Sequence, residues 1–515
     1  MINTKLSAHG LYNAADDLIE RNIAAGRSDK IAFIDRSGKH TFHDVANKVG
    51  RFANALKALG IKRESRLLLV MSDSVDLVAC FLGSIKAGVV PIPLNTRLAS
   101  KDYAYIISDS NAAGLVISEP FVETVLRDSK QPETVIIDGN SVEHAELSSI
   151  LTNANSQHET VQTKPDDICF WLYTSGTTGS PKGVVHLHSH LIATAELYAM
   201  PILGMNQTDV IYSAAKLFFA YGLGNALTFP MAVGATSILL EGPPDPSSVV
   251  KVFVENRPTL FFGVPTLFAI LLASDALPNK SEHNVRLCVS AGEPLPSDLL
   301  IRWRAQFGTE ILDGLGTTEM LHIFVSNRID NITPGATGKT VPGYEVRLIN
   351  DSGEACRPDE IGVLEVSGPS SALMYWGQRD KTKETFRGIW TRTGDNYSMS
   401  AEGIMTYSGR NDDMLKVGGI YVSPFEVEAA LIRHDAVLEA AVVGHPDKDN
   451  LIKPKAFVVL KEKFCASPEL AEELQGFVRT GLADYKYPRW IEFLTELPKT
   501  ATGKIQRFKL RGNPS

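Results

Sequence analysis

The sequence has few cysteines and no arrangement of them that builds a site. Its five cysteines are spread over 515 residues, and no two of them form a Cys-x-x-Cys pair. A disulfide framework or a zinc site is therefore not expected. Free cysteines of this kind favour a reducing compartment, so we expect a cytoplasmic protein.

Long apolar runs and positive charge are also scarce. The N-terminus lacks the apolar core of a signal peptide. The most apolar stretch, Val75 to Leu94, contains Asp76 and Lys86 and is interrupted by glycine and proline. It predicts a helix followed by a buried strand rather than a membrane span. The net charge of −8 argues against a nucleic-acid partner, which a basic surface would bind.

The order of helical and extended patterns predicts an α/β protein with two domains. Strand-like runs such as Arg66–Met71 and Val89–Leu94 flank helical runs such as Ser74–Ala87, an alternation typical of a mostly parallel sheet. Residues 335–410 contain short strands broken by glycine and proline, which predicts a small antiparallel subdomain. After the polar residues 409–413, about a hundred residues read as a compact α+β domain. We expect a large N-terminal domain of layered β-sheets with helices, residues 1–409, and a small C-terminal domain, residues 414–515.

The stretch Tyr173–Gly183 has the composition of a phosphate-binding loop. Its sequence is Tyr-Thr-Ser-Gly-Thr-Thr-Gly-Ser-Pro-Lys-Gly, and apolar residues before it predict that it leaves a buried strand. Glycines let the backbone turn and expose N–H groups, hydroxyls donate hydrogen bonds, and Lys182 adds a positive charge. The spacing is not that of a Walker A loop. Taken alone, the stretch reads equally well as a flexible turn between a strand and a helix.

Four later motifs could serve the same ligand. Asp313–Met320 (Asp-Gly-Leu-Gly-Thr-Thr-Glu-Met) combines glycines and threonines with Glu319, a hard oxygen ligand for Mg²⁺. Thr391–Asp395 and Ser408–Asp413 offer a carboxylate and an arginine for a sugar. Leu497–Arg507 places Lys504 in a tight turn, where it can deliver a charge to a phosphate. Each motif alone also fits an ordinary turn or a solvated charged segment.

Together, in this order, the motifs resemble those of the adenylate-forming superfamily of acyl-CoA synthetases, luciferases and peptide-synthetase adenylation domains. The resemblance covers essentially the whole chain. Ser213–Asn225, Thr318–Phe324 and Tyr421–Glu426 are similar to the benzoate–CoA ligase branch. The segment from Tyr12 to Asn22 is closer to its hydroxybenzoate members, which favours 4-hydroxybenzoate slightly over benzoate.

The resemblance implies that ATP activates a carboxylate as an acyl-adenylate, and that the thiol of coenzyme A then displaces AMP. Lys504 would bridge the substrate carboxylate and the α-phosphate, Thr318 would contact the α-phosphate, and Glu319 would hold Mg²⁺. The remaining ATP contacts implied by the family are Thr174, Ser175, Gly176, Thr177, Thr178, Gly179 and Lys182 for phosphates; Gly292, Glu293, Pro294 and Asp313 for adenine; and Asp395 and Arg410 for ribose.

The family also implies an acyl pocket and a hinge between the two domains. The pocket would hold a flat aromatic ring and consist of Ala220, Tyr221, Phe229, Gly316, His322 and Ile323. We place His322 there because it follows Glu319 by about one helical turn. The hinge would be residues 410–413, centred on Asp412, and it would let the C-terminal domain move after adenylation. The domain would then present the coenzyme A side with Lys416, Gly418 and Gly419.

Four questions stay open from the sequence alone. One concerns the acid, since a medium-chain fatty acyl-CoA ligase or a free-standing adenylation domain would share the motifs. Another is whether the protein is a metal-dependent hydrolase, because His186, His188 and His190 alternate along the sequence and could face one side of a strand as metal ligands. A non-catalytic nucleotide-binding protein is disfavoured, because a binder needs neither Glu319 nor Lys504. The oligomeric state, a homodimer among the options, is not readable from the sequence.

Overall fold

The computed structural model of the chain describes residues 10–174, 180–274, 276–410, 414–417, 420–448, 451–483, 485–499 and 505–511.

The described strands, in chain order, are β1 (Ile31–Asp35), β2 (Gly38–Thr41), β3 (Arg66–Val70), β4 (Val90–Pro93), β5 (Gly114–Ser118), β6 (Thr134–Asp138), β7 (Ala145–Glu146), β8 (Ile168–Thr174), β9 (Lys182–Leu187), β10 (Val210–Ser213), β11 (Thr236–Ile238), β12 (Leu260–Gly263), β13 (Leu287–Ala291), β14 (Ile311–Gly316), β15 (Ile323–Ser326), β16 (Lys339–Thr340), β17 (Glu345–Ile349), β18 (Gly362–Ser367), β19 (Met374–Tyr375), β20 (Phe386–Arg387), β21 (Trp390–Met399), β22 (Met405–Arg410), β23 (Leu415–Val417), β24 (Ile420–Val422), β25 (Val437–Pro446), β26 (Ile452–Leu460) and β27 (Trp490–Phe493).

The described α-helices are α1 (Ala14–Ala24), α2 (Phe42–Ala58), α3 (Val75–Lys86), α4 (Ser100–Ser110), α5 (Val122–Leu126), α6 (Leu147–Asn153), α7 (His188–Thr194), α8 (Ala220–Leu223), α9 (Phe229–Val233), α10 (Pro246–Glu255), α11 (Pro265–Leu272), α12 (Ser297–Gln306), α13 (Arg379–Thr385), α14 (Pro424–Ile432), α15 (Pro468–Gly481) and α16 (Arg507–Arg511). Short 3₁₀ turns span Glu119–Phe121 and Thr318–Met320, and π-helical segments span Ala195–Ala199 and Gly224–Thr228.

Two mostly parallel sheets form the bulk of the N-terminal part. The larger joins its strands in the order β16-β15-β14-β13-β12-β10-β11-β1-β2, and the smaller in the order β4-β3-β5-β6-β7. Strands β10 to β14 of the larger sheet run parallel, whereas the pairs β14–β15 and β15–β16 at one edge and β1–β2 at the other are antiparallel. The carboxyl ends of β12, β13 and β14 therefore meet at one edge, where ligands bind in open parallel sheets.

Side-chain caps explain why the first helices begin where they do. Asn13 accepts hydrogen bonds from the backbone N–H groups of Ala15 and Asp16 at the start of α1. Thr41 and Asp44 form a capping box at the start of α2. Ser74 caps α3, and residues of this helix are buried along its whole length. The apolar stretch Val75 to Leu94 is thus the predicted helix and buried strand. No helix in the described part of the chain has the length and apolar character needed to cross a membrane.

The predicted antiparallel subdomain is confirmed as the sheet β17-β18-β21-β20, with β22 paired to β21. One boundary differs from the prediction. Strand β22 runs to Arg410, so this arginine belongs to the sheet rather than to the polar break that was expected there. Pairing with β21 fixes the direction of its side chain.

The described C-terminal residues form β-sheets that are separate from those of the N-terminal part. Strands β25, β26 and β27 form one sheet, and β23 pairs with β24. Helix α14 contacts the N-terminal part through Phe425, whose ring centroid lies 4.8 Å from that of Tyr407. The Arg507 guanidinium lies 4.2 Å from the Phe425 centroid and pairs with the buried Glu428 at 2.8 Å. The predicted hinge residues 411–413, Asp412 among them, lie outside the described residues.

Candidate active site

The phosphate-binding loop connects two antiparallel strands. Strand β8 ends at Thr174 and β9 begins at Lys182, and these two residues are register partners. The prediction that the loop leaves a buried strand is confirmed, because Phe170, Trp171 and Leu172 are buried. The alternative of a turn into a helix is wrong, since the chain returns as a strand. Ser175, Gly176, Thr177, Thr178 and Gly179 lie outside the described residues.

Lys182 lies at the start of β9 beside two other predicted site residues. Burial lowers the pKa of its ammonium group, and the nearby carboxylate of Glu319 opposes that shift. Its Nζ lies 5.1 Å from the ring centroid of Tyr375. The guanidinium of Arg410 also acts on Lys182 and on Glu319 electrostatically. Two cations and one carboxylate thus interact electrostatically, a combination of charges suited to a polyphosphate with a metal ion.

Thr318 and Glu319 lie on a short 3₁₀ turn between β14 and β15. Thr317 caps the turn by accepting a hydrogen bond from the Met320 N–H at 3.2 Å. The Thr318 carbonyl oxygen is 2.9 Å from Nε2 of His186, and Glu319 Oε1 accepts the Tyr375 hydroxyl at 2.6 Å. The turn ends at Leu321, which has a φ of 65°. His322 is therefore not one helical turn after Glu319, and that reason for placing it in the pocket is wrong.

The three alternating histidines do not line one face of a strand. Strand β9 ends at Leu187, and His188 is the first residue of α7. His186 and His190 approach each other at 3.1 Å between their Nδ1 atoms, whereas Nδ1 of His188 accepts the Ala14 N–H. Burial lowers the pKa of His186 and of His188 to about 4, and burial also lowers the pKa of His190 well below the ordinary histidine value. The described residues include no cluster of three or more metal-binding side chains, so the hydrolase alternative loses its basis.

The predicted ribose residues Asp395 and Arg410 are brought together by the antiparallel subdomain. They are register partners on β21 and β22, and Nη1 of Arg410 lies 3.1 Å from Oδ1 of Asp395. The Asp395 carboxylate raises the pKa of the guanidinium, which stays charged. Gly394, with a φ of 77°, turns the backbone so that the arginine packs against it.

The predicted adenine residues lie where β13 and β14 end. Gly292, Glu293 and Pro294 directly follow β13, and Glu293 accepts a hydrogen bond from Thr266 at 3.1 Å. Asp313 lies on the neighbouring strand as the register partner of Ser290. Burial raises the pKa of Asp313 to about 7, so its carboxyl group can exchange a proton near neutral pH.

His322 is the centre of an aromatic cluster in the predicted acyl pocket. Its ring centroid lies 4.4 Å from that of Phe229 and 5.6 Å from those of Tyr221 and Tyr198. Its Nε2 donates to Oδ1 of Asn225 at 3.0 Å, and burial lowers its pKa to about 3. The imidazole is thus neutral, and the cluster offers a flat, largely apolar wall.

Irregular backbone holds this cluster in place. Helices α8 and α9 are joined by the π-helical segment Gly224–Thr228, a feature that is frequent at functional sites. Gly316 lies so close to His322 that an added Cβ would be 2.7 Å from its carbonyl oxygen. Ile323 follows at the start of β15, and Ala220 is half-buried at the start of α8. Tyr221, Phe229 and Gly316 thus lie against His322, and Ala220 and Ile323 are the chain neighbours of Tyr221 and His322.

Three residues of the site were not singled out from the sequence: Tyr198, Asn225 and Tyr375. Tyr198 and Tyr375 lie in no motif that was recognised. Asn225 ended a quoted motif without a role. Conversely, Lys504, Gly418 and Gly419 lie outside the described residues, and the side chain of Lys416 is not described. Their roles stay predictions.

The chain matches a family described as AMP-binding enzyme over residues 20–376 and its C-terminal domain over residues 426–504. It is 53% identical over 505 residues to a benzoate–CoA ligase of Thauera aromatica, covering 97% of this chain and 96% of that protein. It is 46% identical over 510 residues to a 4-hydroxybenzoate–CoA/benzoate–CoA ligase of Rhodopseudomonas palustris, covering 97% and 94%. The structure is similar to a crystal structure of a benzoate CoA ligase from Burkholderia xenovorans LB400, with a TM-score of 0.91, 48% identity, and coverage of 97% and 100%.

Proposed function

The chain belongs to the AMP-binding enzymes, and on that premise we propose that it is an ATP-dependent aryl-CoA ligase. It activates benzoate or a hydroxybenzoate as an acyl-adenylate and transfers the acyl group to coenzyme A. The observation that carries the proposal is likeness over nearly the whole chain to benzoate–CoA ligases, at 53% identity. The predicted family and fold class are confirmed by the same likeness.

Among the aromatic acids, we propose benzoate first and 4-hydroxybenzoate second. The 53% identical relative is named for benzoate alone, whereas the 46% identical one is named for both acids. The Tyr221 hydroxyl already donates to the Val289 carbonyl oxygen at 3.1 Å, so it is engaged in the fold. This order reverses the slight preference drawn from the N-terminal segment.

The chemistry needs a leaving group better than oxide. In the first step, the acid's carboxylate oxygen attacks the α-phosphorus of ATP, and pyrophosphate leaves with the bonding electron pair. In the second step, the sulfur of coenzyme A attacks the acyl carbon, the thiol proton is lost, and AMP leaves. We assign Lys182 to the departing pyrophosphate, Thr318 to the α-phosphate, and Asp395 with Arg410 to the ribose. Lys504 would offset the repulsion between carboxylate and α-phosphate.

A magnesium ion fits the donors of this site. Glu319 supplies a carboxylate and Thr318 a hydroxyl beside it, both hard oxygen ligands. Mg²⁺ is usually held by one or two carboxylates plus substrate phosphates, and Glu319 with the phosphates of ATP would meet that requirement. When bound, the ion would neutralise phosphate charge.

We propose further that the two steps use two positions of the C-terminal domain. An N-terminal part that ends with strand β22 at Arg410, a hinge at residues 411–413, and a C-terminal domain of residues 414–515 would let Lys504 serve the first step. Lys416, Gly418 and Gly419 would then serve the thiol in the second step. Exchange of a lid in this way can order two reactions in one site.

We place the enzyme in the cytoplasm, since all five cysteines are free.

A panel of acids tests the proposal. AMP formation would be measured with benzoate, 4-hydroxybenzoate, 3-hydroxybenzoate and octanoate, each with and without coenzyme A. We expect the highest kcat/KM with benzoate and turnover only when coenzyme A is present. A higher kcat/KM for octanoate would replace the proposal by a medium-chain acyl-CoA synthetase.

A further inference from the structure

One buried tyrosine contacts both charged residues that the proposed function places on the phosphates and the metal. The Tyr375 hydroxyl donates to Oε1 of Glu319 at 2.6 Å, and Nζ of Lys182 lies 5.1 Å from the centroid of the Tyr375 ring. Tyr375 itself is only 5% exposed. The hydroxyl of Tyr375 therefore contacts the negatively charged carboxylate of Glu319, and its ring lies beside the positively charged ammonium group of Lys182.

The position of Tyr375 is fixed by strand β9 and by the turn that carries Glu319. Strand β19 pairs antiparallel with β9, with Tyr375 opposite Val184, two residues after Lys182. The Trp376 N–H donates to the Gly183 carbonyl oxygen at 2.8 Å, and the Ala372 N–H donates to the Glu319 carbonyl oxygen at 2.7 Å. The segment around Tyr375 is thus hydrogen-bonded to the phosphate-loop strand and to the turn that carries Glu319.

This geometry separates two groups that would otherwise attract each other. The described salt bridges do not include a direct pair between Lys182 and Glu319, although the two charges interact. Such a pair would engage the carboxylate oxygens and the ammonium that the substrate needs. With the tyrosine hydroxyl on Oε1, Oε2 is the oxygen left to turn toward a metal ion.

We propose that Tyr375 is a positioning residue that orients the Glu319 carboxylate for the metal–ATP complex and keeps Lys182 apart from it. The inference rests on the proposed function, since it takes Glu319 as the metal ligand. Hydrogen bonds to metal-ligating carboxylates fix their orientation, and their removal typically weakens metal binding about 10–100-fold.

The test is metal binding without turnover. Mn²⁺ would be titrated into the enzyme with the non-reactive analogue α,β-methylene-ATP, and bound Mn²⁺ followed by electron paramagnetic resonance. Tyr375→Phe keeps the ring and removes the hydroxyl. We expect it to raise the Kd for Mn²⁺ roughly tenfold or more. It should change the Kd of the analogue without metal by less than about twofold, because the phosphate and ribose side chains are intact.

Two comparisons make the result specific. Tyr103→Phe removes another buried hydroxyl, which donates to the Asn95 carbonyl oxygen at 2.7 Å and does not contact Glu319. It should leave Mn²⁺ binding unchanged. Adding Tyr375→Phe to Glu319→Gln should weaken Mn²⁺ binding little beyond Glu319→Gln alone, because the tyrosine acts through that carboxylate.

The possible outcomes separate the inference from the function. If Glu319→Gln weakens Mn²⁺ binding and Tyr375→Phe does not, the inference is overturned and the proposed function stands. If Glu319→Gln has no effect either, the metal assignment falls and the inference with it. An equal loss in Tyr103→Phe would mean a general packing effect and would also overturn the inference.

Discussion

In the proposed acyl pocket Gly224 packs closely against His322, and a single added methyl group should disrupt this contact. A Cβ at position 224 would lie 2.3 Å from Cδ2 and 2.7 Å from Nε2 of His322. The imidazole cannot easily retreat, because Phe229 packs on it at 4.4 Å and Asn225 holds its Nε2 at 3.0 Å. Gly224→Ala therefore forces the ring, or the π-helical segment, to move.

The expected size of the effect follows from the contacts. Overpacking a well-filled core costs about 1–3 kcal/mol. Loss of the His322–Asn225 hydrogen bond adds about 1 kcal/mol. If roughly 1.4–2.8 kcal/mol of this combined cost weakens binding of the transition state, kcat/KM for benzoate falls about 10–100-fold. The KM for ATP should stay the same, because the described atoms nearest to a Cβ at position 224 belong to His322 and Phe229 and not to the phosphate or ribose residues.

Benzoate-dependent exchange between ATP and labelled pyrophosphate measures this step. Gly476→Ala is the matched control, because Gly476 is exposed on helix α15 and nothing lies within 4 Å of a Cβ added there. It should retain full exchange activity. In the double variant Gly224→Ala/His322→Ala, the first substitution should have little further effect, since its clash partner is gone. Wild-type kcat/KM in Gly224→Ala would refute the role given to His322 as a wall of the pocket.

Two further predictions concern acid stability and the proposed catalytic lysine. In the folded protein the pKa of His186 and of His188 is lowered to about 4, whereas a histidine in the unfolded chain has a pKa near 6.5. Below pH 6.5 the unfolded chain therefore binds more protons than the folded protein. The free energy of unfolding should therefore fall as the pH is lowered from 6.5 toward 4, by at most about 1.4 kcal/mol per pH unit for each histidine. Urea unfolding at several pH values would measure this free energy, and a urea midpoint that does not change with pH would contradict the prediction. Lys504→Ala should reduce benzoyl-adenylate formation at least about 100-fold but spare thioester formation from supplied benzoyl-adenylate, and equal loss of both half-reactions would count against the assignment.

Much of the fold could be predicted because local patterns and caps agree with the tertiary packing. The cap at Ser74 begins helix α3 within a residue of where the sequence predicted it. The alternation of strand-like and helical patterns in the sequence was sufficient to predict the mostly parallel sheets. The end of β22 was missed because Arg410 is polar and precedes three polar residues. It is held in the strand by its pairing with Asp395 on β21, which lies 15 positions earlier in the chain.

The site was predictable where one motif carries one role, and less so where contacts cross the sheets. Asp395 with Arg410, and Glu319 with Lys182, come together as the motifs suggested. Tyr375 could not be found, because its partners lie 56 positions away at Glu319 and on strand β9. The histidine series was misread, because the strand ends after His186 and the next histidine opens a helix.

The most direct test of the central claim is the fate of ATP and benzoate in a single reaction. The enzyme would be incubated with benzoate and ATP labelled on the α-phosphate, first without and then with coenzyme A. The account predicts benzoyl-adenylate and pyrophosphate without coenzyme A, and benzoyl-CoA with an equal amount of AMP once coenzyme A is added. Formation of ADP and phosphate, or no benzoate-dependent product, would contradict it.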